Sequence, residues 1–287
     1  LWEDTPNSTT TLEDGTVTNE YMSVPYKSNT EYSKMEVKEI PIDTDKPMGL
    51  FYNAYNSRIL AYKLHRESTE GRKIETSNKD DRDFLEEKLL TSIFYSGQAT
   101  EVLEKELVDT GQREPAIISA DGVIWNANRR IAVRRKLFKK TGDPKWNKVK
   151  AVRLPSLTHK QLKQLEHRLQ MAKSFKEDYG SITLRLRCRE ALSPPDSWTW
   201  QELNNSFRNE YTKAKIEKFI EEINLMDEFL EVTLHPSDYP LVEGKDKGSG
   251  VEIFSALLKH LEWEKRTLNT SDVDIEKTLE VLDKIVN

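Results

Sequence analysis

Short runs of β-branched and aliphatic residues, two of which alternate with polar residues, predict four β-strands in the first 155 residues of the chain. These runs cover 37–42, 116–118, 123–125 and 149–155. Pro41 cannot donate a backbone hydrogen bond, so we expect the first strand to lie at an edge of its sheet.

Longer segments repeat apolar residues at the three- and four-residue spacing of an amphipathic helix. They cover 80–94, 101–109, 129–137, 159–176, 179–192, 198–208, 213–228, 251–263 and 272–286. Because all four strands lie before residue 156, with helices among them, and only helices follow, the pattern predicts an α+β protein.

Composition divides the chain into three parts. Residues 1–35 are rich in Thr, Ser, Asn and acidic residues without apolar periodicity, which predicts a flexible or strap-like extension. Residues 36–192 contain the predicted strands and form a first domain. Pro194-Pro195 then marks a boundary, and residues 196–287 form a helical domain.

The segment 198–228 has the pattern of a helix-turn-helix, with Thr212 as the N-cap of the second helix. Its expected exposed positions mix lysines with acids. The acids are unfavourable near DNA, so a packing module of helices fits equally well. The exposed positions are Lys213, Lys215, Glu217, Lys218, Glu221 and Glu222.

The stretch from Gly111 to Leu137 joins a predicted hairpin to a predicted helix. Asn126 or Asn128 is expected to cap the helix, because a short side-chain oxygen accepts from free N–H groups of the first turn. Arg129 and Arg130 follow at once. The helix dipole, the free N–H groups and two guanidinium groups together suit a phosphate.

These residues resemble the N-terminal domain of ParB-type proteins, in the superfamily shared with sulfiredoxin. The resemblance covers 36–190 and less of the helical region that follows, and Ala127 stands where the family has glycine. It implies a small mixed sheet with helices and a turn that contacts nucleotide phosphates. The matching residues are Leu89 or Leu90, Ser92-Ile93, Gly111, Pro115, Ile117, Asp121-Gly122, Asn128-Arg129-Arg130 and Ala132.

The resemblance also implies which residues touch the ligand. Glu166 corresponds to the first residue of the family motif Glu-Asn-x-x-Arg and is the candidate catalytic residue, whereas His167 and Gln170 replace the other two positions. A surface location or a local ion pair fits Glu166 and His167 as well. Arg58 is either a second phosphate contact or a surface arginine. The implied nucleotide contacts are Gln112, Arg113, Asn126, Asn128, Arg129, Arg130, Glu166 and Arg168.

The implied ligand is a nucleoside triphosphate, CTP or ATP, with Mg²⁺. Glu114 and Asp121, together with Glu166, are candidate metal ligands, since hard cations take carboxylates and phosphate oxygens. NTP hydrolysis or ParB-like nuclease activity would follow from the same resemblance. The reductase chemistry of sulfiredoxin requires a cysteine in the turn, and the sole cysteine of this chain, Cys188, lies elsewhere.

Composition limits the classes of ligand and the cellular compartments that fit this chain. The chain has a formal net charge of −5, so it is not a general binder of polyanions, but basic residues outnumber acidic ones between Asp121 and Lys150. Among them, Arg134, Arg135 and Lys136 are expected mostly in solvent. The single cysteine excludes an internal disulfide and fits a reducing cytoplasm, and there is no apolar run of membrane-spanning length.

Two functions follow. The first is a DNA-associated, ParB-like protein of a partition system, mobile element or phage that binds a phosphate at the Asn126–Arg130 turn. The second is a non-catalytic assembly protein with a degenerate pocket, which the residues at positions 127, 167 and 170 favour. The amphipathic helices near the C-terminus could complete a bundle or form a homodimer.

Overall fold

The computed structural model describes residues 2–3, 5–13, 16–25, 32–43, 49–56, 58–91, 100–170, 181–194, 197–207, 210–243 and 249–268. Its architecture is α+β, as the sequence predicts. The described strands are β1 (Thr9–Thr11), β2 (Val17–Asn19), β3 (Tyr21–Val24), β4 (Ser33–Glu36), β5 (Lys38–Pro41), β6 (Phe51–Tyr52), β7 (Ala116–Ile118), β8 (Val123–Asn126) and β9 (Lys148–Arg153).

The first described helices occur between strands along the chain, and only helices follow β9 in the described part. They are α1 (Leu60–Glu70), α2 (Lys79–Thr91), α3 (Thr100–Thr110), α4 (Asn128–Thr141), a 3₁₀ turn (Pro144–Asn147), α5 (His159–Gln170), α6 (Ser181–Leu192), α7 (Trp200–Ser206), α8 (Lys213–Val232), α9 (Tyr239–Glu243) and α10 (Ser249–Leu268).

Five strands form one mixed sheet in the order β5-β9-β7-β8-β6. β5 pairs with β9 and β7 pairs with β8 in antiparallel fashion, whereas β9–β7 and β6–β8 are parallel. The four predicted strands are therefore confirmed, and Pro41 lies on an edge strand as expected. The two-residue strand β6 has no signal in the sequence pattern.

The sheet has a hydrophobic core on each face, because successive side chains of a strand point to opposite sides. Ile124 packs with residues of α2 and α4, whereas the next residue, Trp125, packs with Leu162 and Leu165 of α5. Full burial of one such side chain contributes about 1.5–3 kcal/mol. Helix α4 is therefore held on one face of the sheet and α5 on the other.

The N-terminal residues form two small antiparallel sheets, β1–β2 and β3–β4. Asn7 bridges to Lys38 of the edge strand β5, and Val24 is fully buried in the core beside α5. Of the two forms predicted for residues 1–35, the described part takes that of a strap along the sheet. Backbone pairing explains this, since the segment has few apolar side chains.

The second half does not pack as the predicted boundary would require. Leu60 of α1 and Leu186 of α6 share one buried cluster with Ile223, Met226 and other residues of α8, α9 and α10. Helix α6 contributes Cys188 to a further cluster with α7 and α8. Helix α6 does end at Leu192, just before Pro194, but the cores on the two sides of this point are continuous.

The predicted helix-turn-helix has the expected secondary structure. Thr199 caps α7 in a capping box with Glu202, and the Thr212 hydroxyl accepts from the backbone N–H of Lys215 at the start of α8. The expectation that Glu222 is exposed was wrong. It is buried against Arg185 of α6, with Arg185 Nη2 2.6 Å from Glu222 Oε2.

Some sequence predictions concern positions outside the described residues. These are Ser92-Ile93 of the family pattern, the end of the helix predicted over 159–176, and the helix predicted over 272–286. No helix of the described part has the length and apolar character needed to span a membrane.

Candidate functional site

The turn between β8 and α4 has a strained backbone. Ala127 has φ 80° and ψ 16°, the left-handed region that costs a residue with a Cβ roughly 1–2 kcal/mol. Helix α4 begins at Asn128 without a side-chain cap, so the prediction that an asparagine caps it was wrong. Asn126 Oδ1 instead accepts from the N–H of Ala127 at 2.8 Å.

Asn128 is turned into the protein and ties the turn to a neighbouring loop. Its Oδ1 accepts from the backbone N–H of Asn53 at 2.9 Å, and its Nδ2 donates to the carbonyl of Ile124 at 2.7 Å. The side chain is almost fully buried. Asn128 therefore positions the turn from inside and does not face solvent as a ligand contact.

Arg129 and Arg130 have different environments. Arg129 is buried and donates from Nη2 to Thr100 Oγ1 at 3.2 Å, which links α4 to α3. Arg130 is partly exposed and donates from Nη1 to the Glu114 carbonyl at 3.1 Å. Its Nη2 lies 3.5 Å from Glu114 Oε2. Of the two arginines, only Arg130 lies beside the turn with access to solvent.

The charge of Arg58 acts on Arg130. Burial lowers the pKa of Arg130, and the positive charge of Arg58 lowers it further against the opposing effect of Glu114. Arg58 follows an Asx turn in which Asn56 Oδ1 accepts from its backbone N–H at 3.1 Å.

The loop from Asn53 to Arg58 also connects the turn to Glu166. Asn53 Nδ2 donates to Glu166 Oε2 at 3.2 Å, and the same oxygen accepts from Arg187 Nη2 at 3.1 Å. Arg187 also donates to the Tyr55 carbonyl. Burial raises the pKa of Glu166, while the charge of Arg187 opposes that shift. Of the two alternatives for Glu166, the surface location was wrong, and its carboxylate instead pairs with Arg187 in the interior.

Several cationic side chains surround Tyr55. Lys163 Nζ lies 4.5 Å and Lys63 Nζ 4.9 Å from the centre of its ring, and the His159 ring meets it edge-on at 4.7 Å. Each lysine also has a carboxylate partner, Glu190 at 3.4 Å for Lys163 and Glu67 at 3.1 Å for Lys63. The sequence pattern did not indicate this cluster, because its members come from four separate segments.

The side chain of Gln112 forms hydrogen bonds with the backbone of the sheet. Its Oε1 accepts from the backbone N–H of Lys150 at 2.9 Å, and its Nε2 donates to the carbonyls of Lys150 and Glu114. It thus extends the pairing of β9 by one side chain. Arg113 is exposed, with Nη1 3.6 Å from Glu106 Oε1. Only Arg113 of these two predicted contacts is directed towards solvent.

His167 and Arg168 lie on α5, and their described contacts are outside the Asn126–Arg130 turn. His167 is buried in the helical region, with ring-centre distances of 5.0 Å to Trp198 and 5.5 Å to Phe207. Burial, aided by the charges of Arg187 and Lys163, lowers its pKa well below 6.5. Burial also lowers the pKa of Arg168, whose Nε donates to the Gln164 carbonyl at 3.1 Å. Of the two alternatives for His167, the surface location was therefore wrong.

The two arginines expected in solvent on the later turns of α4 are also buried. Arg134 donates from Nη2 to the Lys145 carbonyl at 2.6 Å, and Arg135 donates to Asp43 Oδ1 at 2.8 Å and to the Leu50 carbonyl at 2.9 Å. Only Lys136 remains substantially exposed, beside Glu104. Aliphatic stems and internal acceptors explain how arginines occupy the buried side of this helix.

The three candidate metal ligands do not form one site. Glu114 precedes β7 on the side of the turn, whereas Asp121 lies at the opposite tip of the hairpin, where it accepts from Ser119 Oγ. The register Ile117–Asn126 places these two ends apart. Glu166 is engaged with Asn53 and Arg187. Among the described residues, no three His, Cys, Asp or Glu side chains are grouped as metal ligands.

The structure thus brings together only some of the residues predicted to contact a nucleotide or a metal ion. Asn126, Arg130 and Glu114 lie together at the turn, while Asn128, Arg129 and Glu166 support it from within. Asn53 and Arg187 complete that support and were missed. The Asn-x-x-Asn spacing of a turn was the only sequence signal for Asn53. Comparison with protein-family models and with curated proteins finds no match to this chain.

Proposed function

We propose that this chain binds a phosphate group of a nucleotide or nucleic acid at the Asn126–Arg130 turn, in a ParB-like, DNA-associated role. The observation that carries the proposal is the partly exposed Arg130 beside a helix start that no side chain caps. A left-handed alanine at the same turn supports it, because strained backbone conformations cluster at ligand sites.

The physical basis is electrostatic. The first N–H groups of α4 and the positive end of its dipole favour an anion at the turn. Guanidinium groups add charge-assisted hydrogen bonds, for which Arg130 would exchange its contact with Glu114. A CTP or ATP triphosphate would bring Mg²⁺ held mainly by its own oxygens, with Glu114 as the one nearby carboxylate of the predicted set.

Catalytic turnover would require the site to rearrange. Glu166, the candidate catalytic residue, would have to leave Asn53 and Arg187 before it could touch a bound nucleotide. NTPase or nuclease activity is therefore proposed only as a consequence of rearrangement on binding. DNA would be met by α8, whose first turn exposes Lys213 and Lys215.

The test is calorimetric titration of CTP, ATP and GTP, each with Mg²⁺, into wild-type protein and the variants Arg130→Gln and Arg82→Gln. We expect one triphosphate to bind and Arg130→Gln to weaken it at least tenfold, the effect of losing a charge-assisted contact of about 1.5–3 kcal/mol. Arg82→Gln removes a guanidinium from α2 and should bind as wild type. Failure of all three nucleotides to bind, or equal binding by both variants, would contradict the nucleotide proposal.

A second candidate function is assembly without a nucleotide. It is favoured by the internal engagement of four predicted ligand contacts, namely Gln112, Asn128, Arg129 and Glu166. Duplex DNA distinguishes the two. Phosphate contacts make the affinity fall steeply with salt concentration, and Arg130→Gln should reduce that slope by about one contact. A protein that self-associates and responds to neither ligand would be an assembly protein.

A further inference from the structure

An exposed stripe runs along α10 on the side away from the helical core. Val251, Phe254 and Leu261 pack inwards. The exposed stripe is defined by four residues whose spacing of three, four and three places them on one face, namely Ile253, Ala256, His260 and Trp263. Its two large apolar members are strongly exposed, Ile253 at 41% and Trp263 at 59%.

Two charged residues border this exposed stripe on the same flank. Glu252 and Lys259 are both exposed and lie seven residues apart, which is two helical turns. Their midpoint lies beside Ala256, as does the midpoint of Ile253 and His260. Ala256 therefore has a residue of opposite charge on each side, Glu252 and Lys259, and a large residue on each side, Ile253 and His260.

We propose that α10 pairs with α10 of a second copy of this chain, antiparallel, about a two-fold axis at Ala256. In a two-fold contact, every pair of residues occurs twice: if residue i of the first copy meets residue j of the second, residue j of the first copy also meets residue i of the second. Glu252 of one copy then faces Lys259 of the other, and the same pair forms again across the axis. Ile253 lies opposite His260 of the second copy, and the small Ala256 lets the helix axes approach closely.

The charges select this orientation. In an antiparallel helix pair, the same flank of each helix meets, so Glu252 and Lys259 bring two opposite-charge pairs together. A parallel pair would place this flank against the other one, and the complementarity would be lost. The inference rests on α10 and is independent of the phosphate turn, so the two proposals fail separately.

The test is sedimentation velocity of the full chain over a range of concentrations, with four charge variants. We expect wild type to form a dimer. Glu252→Lys and Lys259→Glu should each raise the dissociation constant about tenfold or more, because each places two like-charge pairs at the contact. The double variant Glu252→Lys/Lys259→Glu restores opposite charges and should dimerise as wild type.

Glu262→Lys is the matched control, because it makes the same charge change on an exposed part of α10 outside the exposed stripe. It should leave the dissociation constant unchanged, and circular dichroism should show that all variants remain folded. A monomeric wild type would overturn the proposal, including a monomer whose stripe is covered by its own residues 272–286. A double variant no tighter than the single variants would also overturn it.

Discussion

Arg187 and Glu166 form an ion pair with Nη2 and Oε2 3.1 Å apart, and each side chain is only 1% exposed. The pair joins α6 to α5, and Asn53 continues the connection to the Asn126–Arg130 turn through Asn128. A charge buried this deeply needs a partner, because its desolvation is costly. The support of the turn therefore depends on a residue that lies far from it in the sequence.

Removal of Arg187 should be strongly destabilising. We expect Arg187→Met to lower the free energy of unfolding by about 3–5 kcal/mol, since it leaves the Glu166 carboxylate buried without its cation. Adding Glu166→Gln removes that charge and should recover part of the loss. Urea denaturation of the two single variants and the double variant measures the coupling. Additive losses would show that the two side chains do not interact.

His167 should make the protein sensitive to mild acid. Its folded-state pKa lies well below 6.5, so below that pH the unfolded chain binds a proton that the folded chain does not. Stability contributed by neutral His167 is therefore lost as pH falls below 6.5, by up to about 1.4 kcal/mol per pH unit.

The measurement for His167 is urea denaturation at several pH values between neutrality and mild acid. His167→Phe keeps a ring beside Trp198 and Phe207 but cannot bind a proton, so its stability should fall less over this range. His235 is exposed, and His235→Gln is the matched control with wild-type behaviour. Parallel curves for wild type and His167→Phe would refute the assignment.

Ala127 offers a test of the left-handed turn. Glycine adopts positive φ without steric cost, so Ala127→Gly should range from neutral to about 1 kcal/mol more stable, the relief of strain being partly offset by backbone entropy. Ala127→Val should lose about 2 kcal/mol or more, because a β-branched side chain is disfavoured there. Thermal or urea unfolding checks both. If valine were tolerated as well as glycine, positive φ at this position would be wrong.

The two arginines of the turn should separate stability from binding. Arg129→Ala removes a buried donor to Thr100 and should cost about 1–3 kcal/mol. Arg130→Ala breaks a partly exposed pair with Glu114 and should cost less than about 1 kcal/mol. Unfolding measurements on both variants decide this. Equal losses would mean that the two side chains have similar environments.

The sequence alone predicted the elements around the site well. The hairpin, β9, α3 and the start of α4 occur where the periodicity and turn residues indicate, and Pro41 lies on the edge strand. Such features depend on neighbours within a few positions, so local chemistry determines them. The ParB-like role implied by resemblance stays a proposal.

The environment of each charged side chain was decided only by the tertiary structure. Arg130 and Arg135 lie five positions apart on one helix, yet the first borders the turn and the second is buried against Asp43 and Leu50. Likewise, Glu166 is enclosed because Asn53 and Arg187 reach it from distant segments. A sequence records that a residue carries charge, but the partners that make its burial tolerable come from long-range packing. Local pattern therefore determined where this chain turns, and tertiary packing determined which of its arginines are buried and which reach solvent.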